Sequence, residues 1–149
     1  SAVAAIARLR DMGVESYLLA STLSAIVAQR LVRRLCTHCR EAYTPDAAEL
    51  ELLGLAGRSD VTLHRPAGCS HCKQTGYDGR TGVYEIVVVD DTLRKQIHDD
   101  ARESEMAAHA FARRKTLLQN GVDLVLAGTT SLSEVLRVSR EEGERHAGV

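Results

Sequence analysis

Two CxxC pairs constrain this chain more than any other feature. Cys36-Thr37-His38-Cys39 is followed, after twenty-nine residues, by Cys69-Ser70-His71-Cys72, and these are all four cysteines of the 149-residue sequence. A two-residue spacing lets both sulfurs of a pair face one ion from a tight knuckle, and two knuckles complete a tetrahedron. This is the ligand set of a structural zinc site. The pairs are also alike, C-x-H-C-R and C-x-H-C-K, which is simplest if one role is played twice. Four thiolates leave no coordination position for water, so such a zinc is not hydrolytic. Its formal charge would be −2. Arg33, Arg34, Arg40 and Lys73 lie near in sequence and either offset that charge or form an ordinary exposed basic face. His38 and His71 read as knuckle-tip residues, each also able to replace a cysteine as ligand. Zinc in sites of this kind is worth about 10–16 kcal/mol in apparent terms, against a typical domain stability of about 5–15 kcal/mol. The metal is therefore expected to decide whether residues 36–72 fold. A disulfide pair suits a secreted chain, a redox CxxC wants a βαβ setting, and an iron–sulfur cluster rarely uses this symmetric spacing.

Nothing else in the composition is unusual. Hydrophobic residues make up 44% and charged residues 26%, values that argue for a packed core and against wholesale disorder. Nineteen Lys and Arg against twenty Asp and Glu give a net charge of −1, without the basic excess that phosphate binding usually demands. Aromatics are 3%, too few for base-stacking platforms. The expected partners therefore include no nucleic acid. No signal peptide is evident, and the most membrane-like run, 17–28, is too short to span a bilayer. The expectation is a soluble intracellular chain. Ser1-Ala2-Val3 leads straight into a helical pattern, as in a cut through a larger protein; a processed natural start is the other reading.

Residues 2–12 and 16–35 read as two helices broken at Gly13. The second is apolar nearly all round and calls for burial between layers. Thr44 and Pro45 read as N-cap and first residue of a short acidic helix ending near Gly54, and 61–63 as a short strand. Asp78-Gly79 signals a tight turn. The run Thr81–Val89 is rich in β-branched residues and reads as a strand buried on both faces. Asp90 or Asp91 caps a helix to about Asp100. Ser104 caps another, with Ala107, Phe111 and Leu118 inside and Gly121 as its stop. A short segment then runs from Val122 to Gly128. Ser131 and Glu134 have capping-box spacing for a last helix to about Arg140, and the final nine residues read as a frayed tail.

Catalytic motifs are missing from these 149 residues. Of the three lysines, only Lys115 precedes a Ser or Thr, and it follows Phe111-Ala112-Arg113-Arg114 rather than a glycine loop; there is no P-loop, HExxH or GxSxG. Gly76, Gly79 and Gly82 read as turns entering a strand, and His98 and His109 as surface or half-buried helix residues. Glu85 interrupts an apolar strand and reads as an edge-facing residue or a partner for Arg80 or Arg94.

Four stretches, AVAAIARLRDMGVE, YLLASTLSAIVAQRLVRRLCTHCR, CSHCKQTGYDGRTGVYEIVVVDDTLR and GVDLVLAGTTSLSEVLRVSR, together resemble the C-terminal part of the type II secretion system ATPases (the secretion-system protein E family) and their type IV pilus assembly relatives. The likeness covers about Ala2 to Arg140 in the same order, and its tetracysteine insert favours the secretion and pilus-assembly branches over the retraction ATPases. It implies an α+β fold: the C-terminal end of a RecA-like α/β ATPase core, an inserted tetracysteine zinc subdomain and a helical C-terminal extension. The implied division is 1–35 for the last core helices, 36–75 for the zinc subdomain, 76–100 for a core strand and its following helix, and 101–149 for the extension. Cys36, Cys39, Cys69 and Cys72 match the family's metal ligands. The implied parent is a cytoplasmic hexameric ATPase, held peripherally at the inner membrane by platform and cytoplasmic-domain proteins of the secretion system. ATP and Mg²⁺ would bind its upstream part, so this chain alone is expected to be inactive. A free-standing zinc-stabilised module for nucleic acid or a protein partner is the alternative. The basic run Arg30–Arg40 favours it, and the acidic run Glu41–Asp60 counts against it.

Overall fold

The computed structural model describes residues 1–146. Its elements, in chain order, are α1 (Ala4–Asp11), α2 (Ser16–Thr22), β1 (Ala25–Leu35), β2 (Glu41–Tyr43), α3 (Ala47–Leu52), β3 (Leu63–Arg65), β4 (Tyr77–Val88), α4 (Asp91–His98), α5 (Glu103–Ala110), α6 (Leu117–Leu126) and α7 (Leu132–His146). Helix and sheet are mixed, as expected. The residues fall into two compact units, 1–29 with 84–117 and 30–83 with 118–149.

The first unit is built on helix α4. Asp90 caps it by accepting from the Leu93 N–H at 2.9 Å, and His109 Nε2 lies 2.9 Å from both oxygens of the same carboxylate. The Leu93 N–H first, and then His109, hold the Asp90 carboxyl below the usual carboxylate range. Leu93 and Ile97, one turn apart on α4, are buried with Val3, Ile6, Leu19, Val87 and Met106 in a single apolar cluster. Arg10 braces the far end of α4 and the turn after it, its guanidinium donating to the Ile97 and Ala101 carbonyls at 2.7 and 3.1 Å. Helix α1 ends as its sequence requires. Gly13 has φ +88°, and the Gly13 and Val14 N–H groups return to the Arg10 and Leu9 carbonyls.

The second unit has its own cluster, in which Leu53, Val61 and Leu63 pack with Val125, Leu132 and Val135. Strands β2 and β3 pair antiparallel, with Tyr43 opposite Leu63. Glu134, on the first turn of α7, is 1% exposed and accepts from the Arg33 backbone N–H at 3.0 Å and the Arg33 guanidinium at 2.7 Å. Arg137 adds two donors at 3.2 Å. Burial opposes ionisation of Glu134, but these donors outweigh it and bring its pKa down to about 2. Only half of the expected capping box forms: Ser131 Oγ accepts from the Glu134 N–H at 3.3 Å, while the carboxylate serves Arg33.

Several expectations need correction. Residues 16–35 are not one helix. Helix α2 stops at Thr22, Leu23 turns extended (ψ 126°), and β1 follows. No glycine or proline marks the change, and a run apolar on all sides carries neither period clearly. Strand β4 pairs with β1. The Val89 N–H donates to the Ser24 carbonyl and the Cys36 N–H to the Gly76 carbonyl, so the strands run antiparallel. Between those two bonds β4 spends one residue more than β1. Gly79, at φ +71°, sits within β4 and supplies the left-handed backbone that such a bulge uses; Asp78-Gly79 is not a hairpin turn. Nor is β4 buried on both faces. Val83, Glu85 and Val87 point inward, whereas Tyr84, Ile86 and Val88 are exposed. Glu85 faces the core, 3% exposed, and accepts from the Ala2 and Leu117 N–H groups at 2.6 and 2.9 Å; it is neither an edge residue nor a partner of Arg80 or Arg94.

Asp46, not Thr44, caps α3, in a complete capping box with Glu49. The short strand lies at 63–65 rather than 61–63. Arg102 stands at the N-cap position of α5 in place of Ser104. Helix α5 also ends earlier than expected, at Ala110, and Gly121 lies inside α6, where an added Cβ would come 2.7 Å from Val135 Cγ1. Leu118, expected inside, is exposed. Helix α7 continues past Arg140 to His146, and positions 147–149 of the expected tail lie outside the described residues.

Glu134→Gln should destabilise the second unit by an amount at the low end of the ~3–5 kcal/mol that breaking a buried ion pair costs, since Arg33 is half exposed. The carboxyl is more acidic folded than unfolded, so its stabilisation is present above pH ~4.5 and lost as the pH falls toward 2. Urea titrations across that range should show a shallower slope in Glu134→Gln than in the native chain, the remainder coming from other acidic groups such as Asp90.

Candidate metal centre

The four cysteines converge. Their Sγ atoms all lie within 4.8 Å of one another, with Cys36–Cys69 at 3.9 Å, Cys39–Cys72 at 3.8 Å and Cys69–Cys72 at 3.8 Å. A tetrahedron with metal–sulfur bonds of about 2.3 Å has edges of about 3.8 Å. The spacing is therefore that of four thiolates around one ion, and almost twice a disulfide bond length; all four are free thiols. The cluster could hold a metal ion, and its donor set suits Zn²⁺. It is the one such group of three or more His, Cys, Asp or Glu side chains among the described residues.

Local sequence delivers each sulfur. Strand β1 ends at Leu35 and hands Cys36 to a turn in which the Cys39 and Arg40 N–H groups return to the Cys36 carbonyl at 3.3 and 2.9 Å. The second knuckle closes with a wider turn, the Gln74 N–H on the Cys69 carbonyl at 2.9 Å and the Lys73 N–H on the Ser70 carbonyl at 3.3 Å. It is tightened by Lys73 and Gln74 at positive φ and by Thr75 Oγ1, which donates to the Cys72 carbonyl at 2.7 Å.

Two glycines that sequence reasoning did not connect with the site belong to it. The Gly76 N–H donates to Cys72 Sγ at 3.2 Å, while its carbonyl accepts from the Cys36 N–H at 3.0 Å. One residue thus ties the second knuckle to the strand that carries the first. Its φ is +74°, and a Cβ there would meet Pro66 Cβ at 2.4 Å. The Gly68 N–H donates to Cys39 Sγ at 3.3 Å. The signal was present: a glycine four residues after the second CxxC, read only as a turn.

The thiols are not equivalent electrostatically. Burial raises the pKa of Cys72, but the N–H groups of Cys69 and Gly76 outweigh it and bring the thiol down to about 6. Burial dominates at Cys39 and pushes it up to about 12 despite the Gly68 donor, and burial also raises Cys36. Bound cation charge would invert this balance and hold all four deprotonated. The basic residues expected to offset the cluster are partly committed elsewhere. Arg33 pairs with Glu134 and lies 4.0 Å over the Tyr77 ring, and Arg40 donates to the Gly128 carbonyl at 2.6 Å. His38 and His71 contribute no ligand atom; their rings meet at 4.2 Å, and His71 Nε2 lies 3.3 Å from Asp78.

Among the described residues no helix is long and apolar enough to cross a membrane. Residues 1–137 match the family described as Type II/IV secretion system protein. The chain is 50% identical over 142 residues to the Type II secretion system protein E of Pseudomonas aeruginosa, and 43% identical over 141 residues to the Type II secretion system ATPase E of Vibrio cholerae. Each match covers 95% of this chain and 28% of the relative. It is 42% identical over 147 residues to a putative type II secretion system protein E of Escherichia coli, covering 99% of this chain and 30% of that protein. The chain thus spans under a third of the length of these curated relatives.

Gly76→Ala should cost about 2–4 kcal/mol, combining overpacking against Pro66 with a left-handed backbone that alanine disfavours. Metal affinity should fall with it, read as the free Zn²⁺ concentration at half-loading in a competition with a colorimetric chelator. A Gly79→Ala control shares the positive φ but meets no atom within 4 Å, so it should keep wild-type affinity.

Proposed function

The chain belongs to the Type II/IV secretion system protein family, and from that premise we propose that it is the C-terminal, zinc-clipped part of a secretion motor. The observation that carries this reading is the lopsided match: nearly all of this chain aligns with 28% of relatives whose names include a secretion ATPase. In this reading residues 1–35 and 76–100 complete a RecA-like core, residues 36–75 are a subdomain held by one structural zinc on Cys36, Cys39, Cys69 and Cys72, and residues 101–149 form a helical extension. ATP and Mg²⁺ are bound by the rest of the motor, and the present residues stiffen and complete it. The motor is a cytoplasmic hexamer. It works peripherally at the inner membrane with platform and cytoplasmic-domain proteins of the secretion apparatus, powering pseudopilus assembly.

Two features of the chain support this. The 149 residues contain no glycine loop with Lys-Ser/Thr to cradle phosphates, so any ATP turnover belongs to residues outside them. The outer face of β1 and β4 is apolar and open. Val27 is 58% exposed and Ile86 50%, with Tyr84 and Val88 beside Ile86 on the same strand face. A two-stranded sheet with such a face is what remains of a larger sheet core when its covering layer lies in another part of the protein.

Zinc would act here through its charge and its four fixed bonds, locking both knuckles together. The chain's own residues do the rest. Gly76 and Gly68 aim N–H groups at the thiolates, and the Cys36 N–H on the Gly76 carbonyl ties the second knuckle to the end of β1. The test has two arms. The chain alone with ATP and Mg²⁺ should release no phosphate above background; turnover at the rate of a full-length relative would overturn the assignment. Exchanged into the Vibrio cholerae relative in place of its matching 28%, the chain should restore ATP hydrolysis, and Cys36→Ser in the same chimera should lower it together with bound zinc.

A further inference from the structure

The four thiols of the metal centre differ in what shields them. Cys36 is 0% exposed and Cys72 6%, so neither sulfur is open to a bulky reagent. Cys72 also accepts two backbone N–H groups, from Cys69 and Gly76. Cys39 is half-buried, but its sulfur accepts the Gly68 N–H at 3.3 Å. Cys69 is half-buried as well. Its sulfur faces Cys36 Sγ and Cys72 Sγ, and among the described residues no backbone N–H donates to it within hydrogen-bond reach. An N–H bond draws density from a thiolate and must be broken, or weakened, as the sulfur attacks an electrophile. Exposure leaves Cys39 and Cys69, and of these two only Cys69 has no backbone N–H on its sulfur among the described residues.

We propose that Cys69 is the reactive ligand of this centre, the thiolate at which soft electrophiles enter and zinc release begins. The inference rests on the zinc reading of the four cysteines. With a haloacetamide the Cys69 sulfur displaces iodide: an S–C bond forms, the C–I bond breaks, and iodide leaves with the bonding electron pair. The thioether that results is neutral and a poorer donor for Zn²⁺ than a thiolate. A bound ion would then have only the thiolates of Cys36, Cys39 and Cys72 to hold it. Further ligands are lost in turn, and the knuckles separate. Cys36, Cys39 and Cys72 become reagent-accessible only after that opening.

The flanking sequence suits such a point of entry. Ser70 and His71, at the tip of the second knuckle, are exposed, so a reagent approaches Cys69 across small or polar groups rather than through the apolar cluster. The first knuckle offers no equivalent, because Cys36 occupies the same position in its pair and is sealed at the end of β1.

The zinc-loaded full chain, shown first by elemental analysis to carry one equivalent of metal, should be treated with less than one equivalent of iodoacetamide. It is then quenched in denaturant with an isotopically heavy form, and the peptides carrying each cysteine are compared by mass spectrometry. Released zinc is followed in parallel with a chromophoric chelator. The expected result is several-fold more light label on Cys69 than on any other cysteine at the earliest times, with zinc release in step with Cys69 modification. Light label appearing first on Cys39, or equally on all four, in a chain that holds its zinc would overturn the inference and leave the metal reading intact. A chain that binds no zinc would overturn both. A Cys69→Ser chain that still binds metal should release it to iodoacetamide more slowly than the native chain; unchanged release would also count against Cys69 as the entry point.

Discussion

The second unit depends on one short relay of bonds. Cys36 stands at the end of β1 and Cys72 in the second knuckle, and Gly76 joins them by accepting from the Cys36 N–H while donating to Cys72 Sγ. The excursion of twenty-nine residues between the knuckles has little core of its own. Its short strands β2 and β3 carry three residues each, and α3 buries no side chain fully. A segment with so little apolar burial does not outweigh its conformational entropy unaided. A four-thiolate site at its two ends removes much of that entropy by closing the loop at its base. Three of the sulfur–sulfur distances, at 3.8–3.9 Å, are those such a site would have.

Charge is handled with the same economy of partners. Glu134 is sealed from solvent and would be costly there as a lone ion. Arg33 meets it through both main chain and side chain, and then stacks on Tyr77, whose hydroxyl lies 2.8 Å from Ser131 Oγ. Thr130 Oγ1 completes the tie by donating to the Arg33 carbonyl at 2.7 Å. The start of α7 is thus fastened to β1 at Arg33, three residues before Cys36. In the first unit Glu85 plays a comparable part, drawing the Ala2 and Leu117 N–H groups to one inward-facing carboxylate. Both carboxylates are structural.

Much was legible beforehand where a local rule decides the outcome. Gly13 ends α1, Asp90 caps α4, Gly128 follows α6, and all but the last residue of the β-branched run Thr81–Val89 lies in a strand. These are set within a few residues by backbone sterics and capping, which act whatever lies further away. The convergence of the four cysteines was legible for a related reason: two knuckles with matching spacing have few other uses. Where partners distant in sequence decide, local rules failed. Residues 25–35 have a helical wash of apolar side chains, yet they are a strand because β4 offers a ladder of N–H and C=O groups some fifty residues away. Gly121 reads as a stop, but it sits mid-helix because Val135 of α7 needs the space.

The sequence by itself therefore determined the chemistry of the site and the family. Cysteine spacing dictates a four-sulfur cluster, and the ordered motifs reach the family without any coordinates. Only the tertiary structure decided which groups support the site and what the charged residues do. Gly76 is a turn glycine, and Gly68 one more loop residue, until the fold aims their N–H groups at sulfur. Arg33 is a candidate counter-charge until Glu134 takes it. The reason is physical: a hydrogen bond or an ion pair is a property of two positions brought together, and one position read alone does not contain it.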